Sequence, residues 1–331
     1  MSAQPTPSVP PAQPTPFISQ FIGVDVAKAE LVIAQDSHVR TLDNGKRAIV
    51  TWLKSLPAGS TIALEATNRY HLLLADLAHA AGHTVYVLNP QELKHYRTAT
   101  RQRAKTDDCD ARLLARYVER EHAHLRPYTP LTPGQRRLSR LLRRRALVVK
   151  TTTQLRLGLE PEAKDLGLGA AVREVLKAQQ RLLQTIDRQI QRLLAQPEHQ
   201  ATATRLQSIV GIGPLSGAAL LVALERGQFA DADAFVAFLG LDPVPRDSGQ
   251  KHGRRRLSKQ GDSETRRLLF NAALSASQTP AWRRLYLGYL ERGLSAIQAL
   301  CILARKIART AWSLYHHGTT FCPKRLTQAL T

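Results

Sequence analysis

The sequence predicts a mixed α/β domain, then a helical hairpin, then a mainly α C-terminal domain, and three patterns carry that prediction. Up to about residue 125, short apolar runs alternate with amphipathic stretches, as in a sheet covered by helices. The segment Arg126-Pro-Tyr-Thr-Pro-Leu-Thr-Pro then interrupts the alternation and reads as a linker. Beyond it, apolar residues recur in steps of three and four over two long stretches, the period of packed helices.

Residues 1–17 are rich in Pro, Ser, Thr and Gln and predict a disordered tail. Strands are expected at Phe21–Asp25, Glu30–Gln35, Val39–Leu42, Thr61–Glu65 and Thr84–Leu88, and helices at Gly45–Leu56, Tyr70–Ala81, Gln91–Ala99 and Asp108–Arg120. Three strands in succession, then strands separated by helices, fit a mixed sheet, and the first domain spans residues 18–128. The hairpin, residues 129–200, has one seam at Leu138, Leu141, Arg145, Val148, Thr152, Leu155 and Leu159. The other runs through Val172, Leu176, Gln179, Leu183, Ile186, Ile190 and Leu193, with Pro161, Gly167 and Gly169 marking the turn. Such a hairpin suits a homodimer or homotetramer, and suits packing on its own monomer nearly as well. Residues 201–320 read as a compact helical domain and residues 321–331 as a tail.

Four acids in the first domain point to chemistry. Asp25, in FIGVDVAKAELVIA, and Glu65, in TIALEATNRY, sit near the ends of apolar runs that read as buried strands. Asp107 and Asp110 are three apart in a helical stretch, so their carboxylates share a face. A lone carboxylate is costly to bury in a strand, and gathered carboxylates repel unless cations lie between them. An RNase H-like fold would bring these four together. Hard divalent cations such as Mg²⁺, or Mn²⁺, take oxygen ligands of this kind, and a pair of them can clamp the exchanging oxygens of a phosphodiester.

Composition narrows the partners. The chain has 331 residues, 43% hydrophobic, with a net charge of +21, so it is globular and fitted to a polyanion. No apolar run approaches a bilayer span and no secretory signal is visible, which predicts a cytoplasmic protein without membrane contact. Cys109, Cys301 and Cys322 lack metal-site spacing and read as reduced thiols. From Arg126 to Leu159 there are nine Arg or Lys and no Asp or Glu. Within that stretch Arg136, Arg137, Arg140, Arg143, Arg144 and Arg145 spread around the helix, where surface helices normally mix signs, and so predict contacts to an RNA or DNA backbone. The run Val210-Gly-Ile-Gly-Pro-Leu-Ser-Gly-Ala resembles the hairpin of a helix-hairpin-helix module, in which Gly211 and Gly213 would let the backbone approach a phosphate.

Near residue 248 a serine stands in a cationic loop. Ser248 is followed by glycine and surrounded by Arg246, Lys251, Arg254, Arg255, Arg256 and Lys259. A serine hydroxyl is a poor nucleophile at neutral pH, and attack on a phosphodiester becomes feasible where cations hold the phosphate. Ser-Gly is also ordinary turn chemistry, so both readings stand at the level of composition.

Taken together these residues resemble the DEDD transposases of bacterial insertion sequences, the IS one-ten group that includes the Piv-type DNA invertases. The resemblance runs from about Phe21 to the helix around Leu314. It rests on Gly23-Val-Asp25-Val-Ala-Lys28, Glu65-Ala-Thr, Lys105-Thr-Asp107-x-x-Asp110-Ala-Arg112, Gly211-Ile-Gly213, Phe238-x-Gly240-Leu-x-Pro243, Ser248-Gly249 and Ser258-Lys259-x-Gly261, in that order. It implies a RuvC-like first domain, a coiled-coil insertion and a C-terminal transposase domain. Asp25, Glu65, Asp107 and Asp110 would bind Mg²⁺, and Ser248 would attack DNA to form a covalent phosphoserine. A structured non-coding RNA that pairs with donor and target DNA would guide the enzyme at the bacterial nucleoid, and Lys105 and the basic residues named above would contact nucleic acid. Asn68 stands where the family often has Gly, and Asp108 adds an acid beside the pair. Two rival readings remain: a RuvC-like nuclease or junction resolvase that uses metal-activated water, and a non-enzymatic nucleic-acid-binding protein.

Overall fold

The computed structural model describes residues 21–36, 38–101, 106–244, 255–324 and 326; the expected N-terminal tail lies outside them. The chain divides into two compact units, residues 1–130 and residues 131–331.

In the first unit β1 (Phe21–Val26), β2 (Glu30–Gln35) and β3 (His38–Asp43) form an antiparallel meander, and β4 (Thr61–Glu65) and β5 (Thr84–Leu88) add to it in parallel. The order is β3-β2-β1-β4-β5, the mixed sheet that the strand spacing predicts. Alternation along the strands divides the core into two layers. Ile22, Val24, Leu31, Ile33, Ile62 and Leu64 pack on α1 (Lys46–Lys54) and α2 (His71–Ala80), through Ile49, Trp52, Leu53, Leu74 and Ala75. The opposite face sets Ala63, Tyr86 and Leu88 against Leu93 of α3 (Pro90–Ala99) and against Leu114 and Val118 of α4 (Asp107–Glu121). Val32 and Ala34 meet Ala111 of α4 on that same face.

Helix α4 lies directly on β1, and Gly23 is the reason it can. A Cβ on Gly23 would stand 1.9 Å from the Ala111 carbonyl oxygen and 2.5 Å from the Ala115 nitrogen, distances no side chain tolerates. The helix begins at Asp107, one residue before the expected start, because the Thr106 hydroxyl accepts from the Cys109 N–H and caps it. Just past β4, Asn68 has φ of 45°. That is the left-handed region which Gly prefers and Asn tolerates, so an asparagine here keeps the backbone a glycine would allow.

The second unit opens with α5 (Pro133–Gly158) and α6 (Gly169–Leu194), the two expected hairpin helices. It continues through α7 (Pro197–Gln207), α8 (Pro214–Leu224), α9 (Ala232–Phe238), the short strands β6 (Pro243–Val244) and β7 (Arg256–Leu257), and α10 (Ser263–Ser277), α11 (Pro280–Glu291) and α12 (Ala296–His317). Helix α8 is buried from Gly217 through Leu224 and forms the centre of one large apolar core. The root of the hairpin belongs to that core through Leu138, Leu142, Ile186, Ile190 and Leu193. Its distal half leaves Leu147, Leu157, Leu159, Leu166, Leu168, Val175 and Leu182 exposed. Between root and tip the Arg145 guanidinium pairs with Asp187 across the helices, Nε donating to Oδ1 at 2.6 Å. Among the described residues no helix is long and apolar enough to cross a membrane.

Candidate active site

Strand register and alternation set two of the four acids. β1 and β4 are parallel neighbours with Val24 opposite Leu64, so Asp25 and Glu65 are the next residues along, at the carboxyl ends of adjacent strands. Asp25 shares its strand face with Gly23, and Glu65 shares its face with Ala63, so both lie on the side covered by α4. Loops beyond the carboxyl ends of parallel strands are where open α/β sheets build their sites.

Helix α4 supplies the other two from its first turn. Asp107 and Asp110 continue the stripe Ala111, Leu114 and Val118 that faces the sheet, spaced three and four apart. Asp108 is exposed and off that stripe. Carboxylates in a first helical turn also interact favourably with the helix dipole. The Asp25 carboxyl is half-buried and held above its ordinary range, by burial first and then by the charges of Asp107 and Asp110. The Val26 backbone hydrogen bond and the Arg97 guanidinium pull it down. Asp107 and Asp110 therefore both act on Asp25, while Glu65 shares the face and sheet edge of Asp25 through register.

Arg97 is a site residue that the sequence alone does not announce. It lies on α3 and donates from Nη2 to the Asp110 Oδ1 at 2.6 Å. Nothing local signals the pair, because the two residues sit on different helices and meet only through α3–α4 packing. The donor set suits a hard divalent cation, being all oxygen. Its spacing is not that of a closed cage, since among the described residues no three His, Cys, Asp or Glu converge to hold an ion.

Of the basic residues, Arg137, Arg140, Arg143 and Arg144 are exposed on α5. Arg136, Arg137, Arg140 and Arg144, with Leu131, Pro133 and Leu141, line an open groove of about 780 Å³. Arg143 bonds back to Ser139, and Arg145 is committed to Asp187 within the hairpin, which makes it a strut of the helix pair. Replacing Arg137, Arg140 and Arg144 together with alanine is expected to weaken binding to duplex DNA. It should flatten the slope of log K against log salt by about 2 to 3, near 0.9 for each phosphate no longer neutralised. A titration across salt concentrations measures it, and an unchanged slope would remove these arginines from the interface.

Gly211 and Gly213 have separate jobs. Gly211 has φ of 99°, and a Cβ there would lie 2.6 Å from the Ala276 Cβ and 2.9 Å from the Ala272 oxygen, so it allows close packing on α10. Gly213 has open space around it and stands at the N-cap of α8, ahead of backbone N–H groups that no side chain caps.

Ser248, Arg246, Lys251, Arg254 and Lys105 lie outside the described residues. The strands flanking the serine segment pair antiparallel, Pro243 opposite Leu257 and Val244 opposite Arg256. Their base is tightly held: the Ser258 N–H donates to the Asp242 carbonyl at 2.9 Å, and the Ser258 hydroxyl donates to the Asp242 carboxylate. A Cβ on Gly240 would stand 2.7 Å from the Gln260 nitrogen, and one on Gly261 would stand 2.5 Å from the Phe238 carbonyl oxygen. Arg255, Arg256 and Lys259 are exposed at this base.

Comparison with known proteins agrees with this organisation. Residues 22–160 match a DEDD transposase family profile, and residues 203–287 match the profile described as the transposase IS116/IS110/IS902 family. The transposase for insertion sequence element IS1328 of Yersinia enterocolitica is 29% identical, over 91% of this chain and 98% of its own length. A probable family 20 transposase of Pseudomonas aeruginosa is 28% identical over 91% and 98%. The pilin gene-inverting protein of Moraxella bovis is 26% identical over 91% and 97%. With acids from two strand ends and one helix in the first unit, and both profiles met in order along one chain, this protein belongs to the IS116/IS110/IS902 family of DEDD transposases and is a DNA-acting enzyme.

Proposed function

We propose that the chain cuts and rejoins DNA through Ser248, assisted by the acidic site of its first unit. The placement of Asp25, Asp107 and Asp110 on one side of the sheet, where the charges of the last two reach the first, carries this reading. Asp25, Glu65, Asp107 and Asp110 would hold Mg²⁺ or Mn²⁺, which when bound supplies electrostatic stabilisation to the oxygens exchanged at phosphorus. The Ser248 oxygen forms a bond to phosphorus as the bond to the departing deoxyribose oxygen breaks. The serine proton passes to a carboxylate of the site, and the cations around the serine hold the phosphate. A second DNA hydroxyl then displaces the serine, restoring the phosphodiester and the free hydroxyl.

The acid-free arginine groove of α5 supports a structured non-coding RNA as a further partner, pairing with donor and target DNA and so setting target choice by base pairing. The exposed leucines of the distal hairpin support assembly as a homodimer or homotetramer. The test is Ser248→Ala. Wild-type protein should form a covalent adduct with cleaved DNA, whereas the variant should bind the same DNA with no adduct and no recombination. Free cleaved ends made equally by both proteins would instead favour a water-using nuclease.

A further inference from the structure

We propose that Arg97 is an internal counter-cation of the acidic site, and that a divalent cation binds there by taking Asp110 away from it. The inference rests on the metal-binding reading above and deepens it. Four carboxylates are assigned to this site, and Arg97 is a cation that the described residues bring to them. Its Nη2 lies 2.6 Å from Asp110, with the two side chains only 22% and 16% exposed, so solvent screens the pair weakly. The same guanidinium acts on Asp25, so its charge serves two acids from two different elements.

Arg97 is held where it is. Asn89 caps α3 by accepting from the Gln91 N–H, Pro90 occupies its first turn, and Leu93 is buried in the layer shared with α4. One residue before Arg97, the Tyr96 ring packs edge-on against Tyr117 of α4 at 4.8 Å. The arginine is therefore presented to Asp110 by a fixed helix. Its hydrogen bonding is nonetheless incomplete, since Nε is buried without a partner among the described residues. A guanidinium in a purely structural ion pair would satisfy its fork more fully.

A guanidinium and a divalent ion compete for the same carboxylate oxygens. Arg97 cannot leave by losing a proton, because its charge persists at any working pH. Occupation of the site by an ion with Asp110 as a ligand therefore requires the bridge to open, and that cost lowers metal affinity. The bridge keeps the acidic cluster in order and sets a threshold for the ion.

The experiment titrates Mn²⁺ into the full-length chain and follows the free ion by electron paramagnetic resonance, without DNA. Wild type, Arg97→Met, Arg97→Gln, Arg97→Lys and Asp25→Asn are compared, with circular dichroism reporting the fold. Methionine keeps much of the apolar stem and glutamine keeps a neutral donor, so at least one uncharged variant is expected to fold. The uncharged variants should bind Mn²⁺ about tenfold more tightly than wild type, with Arg97→Lys close to wild type. Unchanged or weaker binding in the folded uncharged variants would overturn the role given to Arg97 while leaving the metal site intact. Binding that survives Asp25→Asn, or that is absent from wild type and the Arg97 variants alike, would instead sink the metal-site reading, and this inference with it.

Discussion

Asp25→Asn is expected to abolish recombination while leaving the protein at least as stable as wild type. Burial and the charges of Asp107 and Asp110 hold the Asp25 carboxyl above its ordinary range, so its ionised form is disfavoured in the fold. A group of this sign contributes stability that is fully present below its unfolded value and lost as pH rises through the raised one. Wherever Asp25 is ionised it therefore weakens the fold, and a neutral amide of the same shape relieves it. Function runs the other way. On the proposed mechanism Asp25 would hold a cation that stabilises charge at the phosphoryl centre, and its loss would cost several kcal/mol, or about 10³-fold and more in rate. A melting curve and a recombination assay on the same preparation measure both effects. A fall in melting temperature with activity retained would mean that Asp25 is a structural carboxylate.

The second large effect is expected at Gly23. In Gly23→Ala the new methyl carbon would have to share space with the Ala111 carbonyl and the Ala115 nitrogen, which are backbone atoms of α4 and cannot rotate aside. Either the helix lifts from β1 or the strand shifts, and overpacking of this kind costs about 3 kcal/mol or more. Because α4 carries Asp107 and Asp110, its displacement also separates those carboxylates from Asp25, so activity should fall together with stability. Gly45→Ala is the matched control, since a Cβ there meets nothing within 4 Å. Denaturant unfolding of both variants distinguishes the cases, and equal stability of the two would contradict the close seating of α4.

How far this could be read from the chain varies from residue to residue. The strands were legible because continuous apolar runs such as Thr61–Glu65 report burial on both sheet faces, and the observed bounds depart from expectation by a residue or so. Asp25, Glu65, Asp107 and Asp110 were legible as charges in apolar or helical settings where an isolated acid is uncommon. The importance of Gly23 was visible as part of a motif, whereas its reason, a helix at van der Waals contact, needed the fold. Arg97 gave no sequence signal, because its partner is thirteen residues away on another helix. Arg145 carries a signal of its own. An arginine standing in an apolar seam, with an aspartate on the facing helix, is better read as a strut than as a nucleic-acid contact. Gly211 is similar, since its positive φ and its packing against α10 explain the glycine before any phosphate is invoked.

The most direct measurement is to map the point of attachment between protein and DNA. After reaction with a substrate that traps cleavage, nuclease and trypsin digestion should leave a nucleotide mass on the peptide from Asp247 to Lys251, whose one hydroxyl side chain is Ser248. The account predicts that mass in wild type and its absence in Asp25→Asn. A nucleotide on any other residue, or complete cleavage with unmodified peptide, would contradict it.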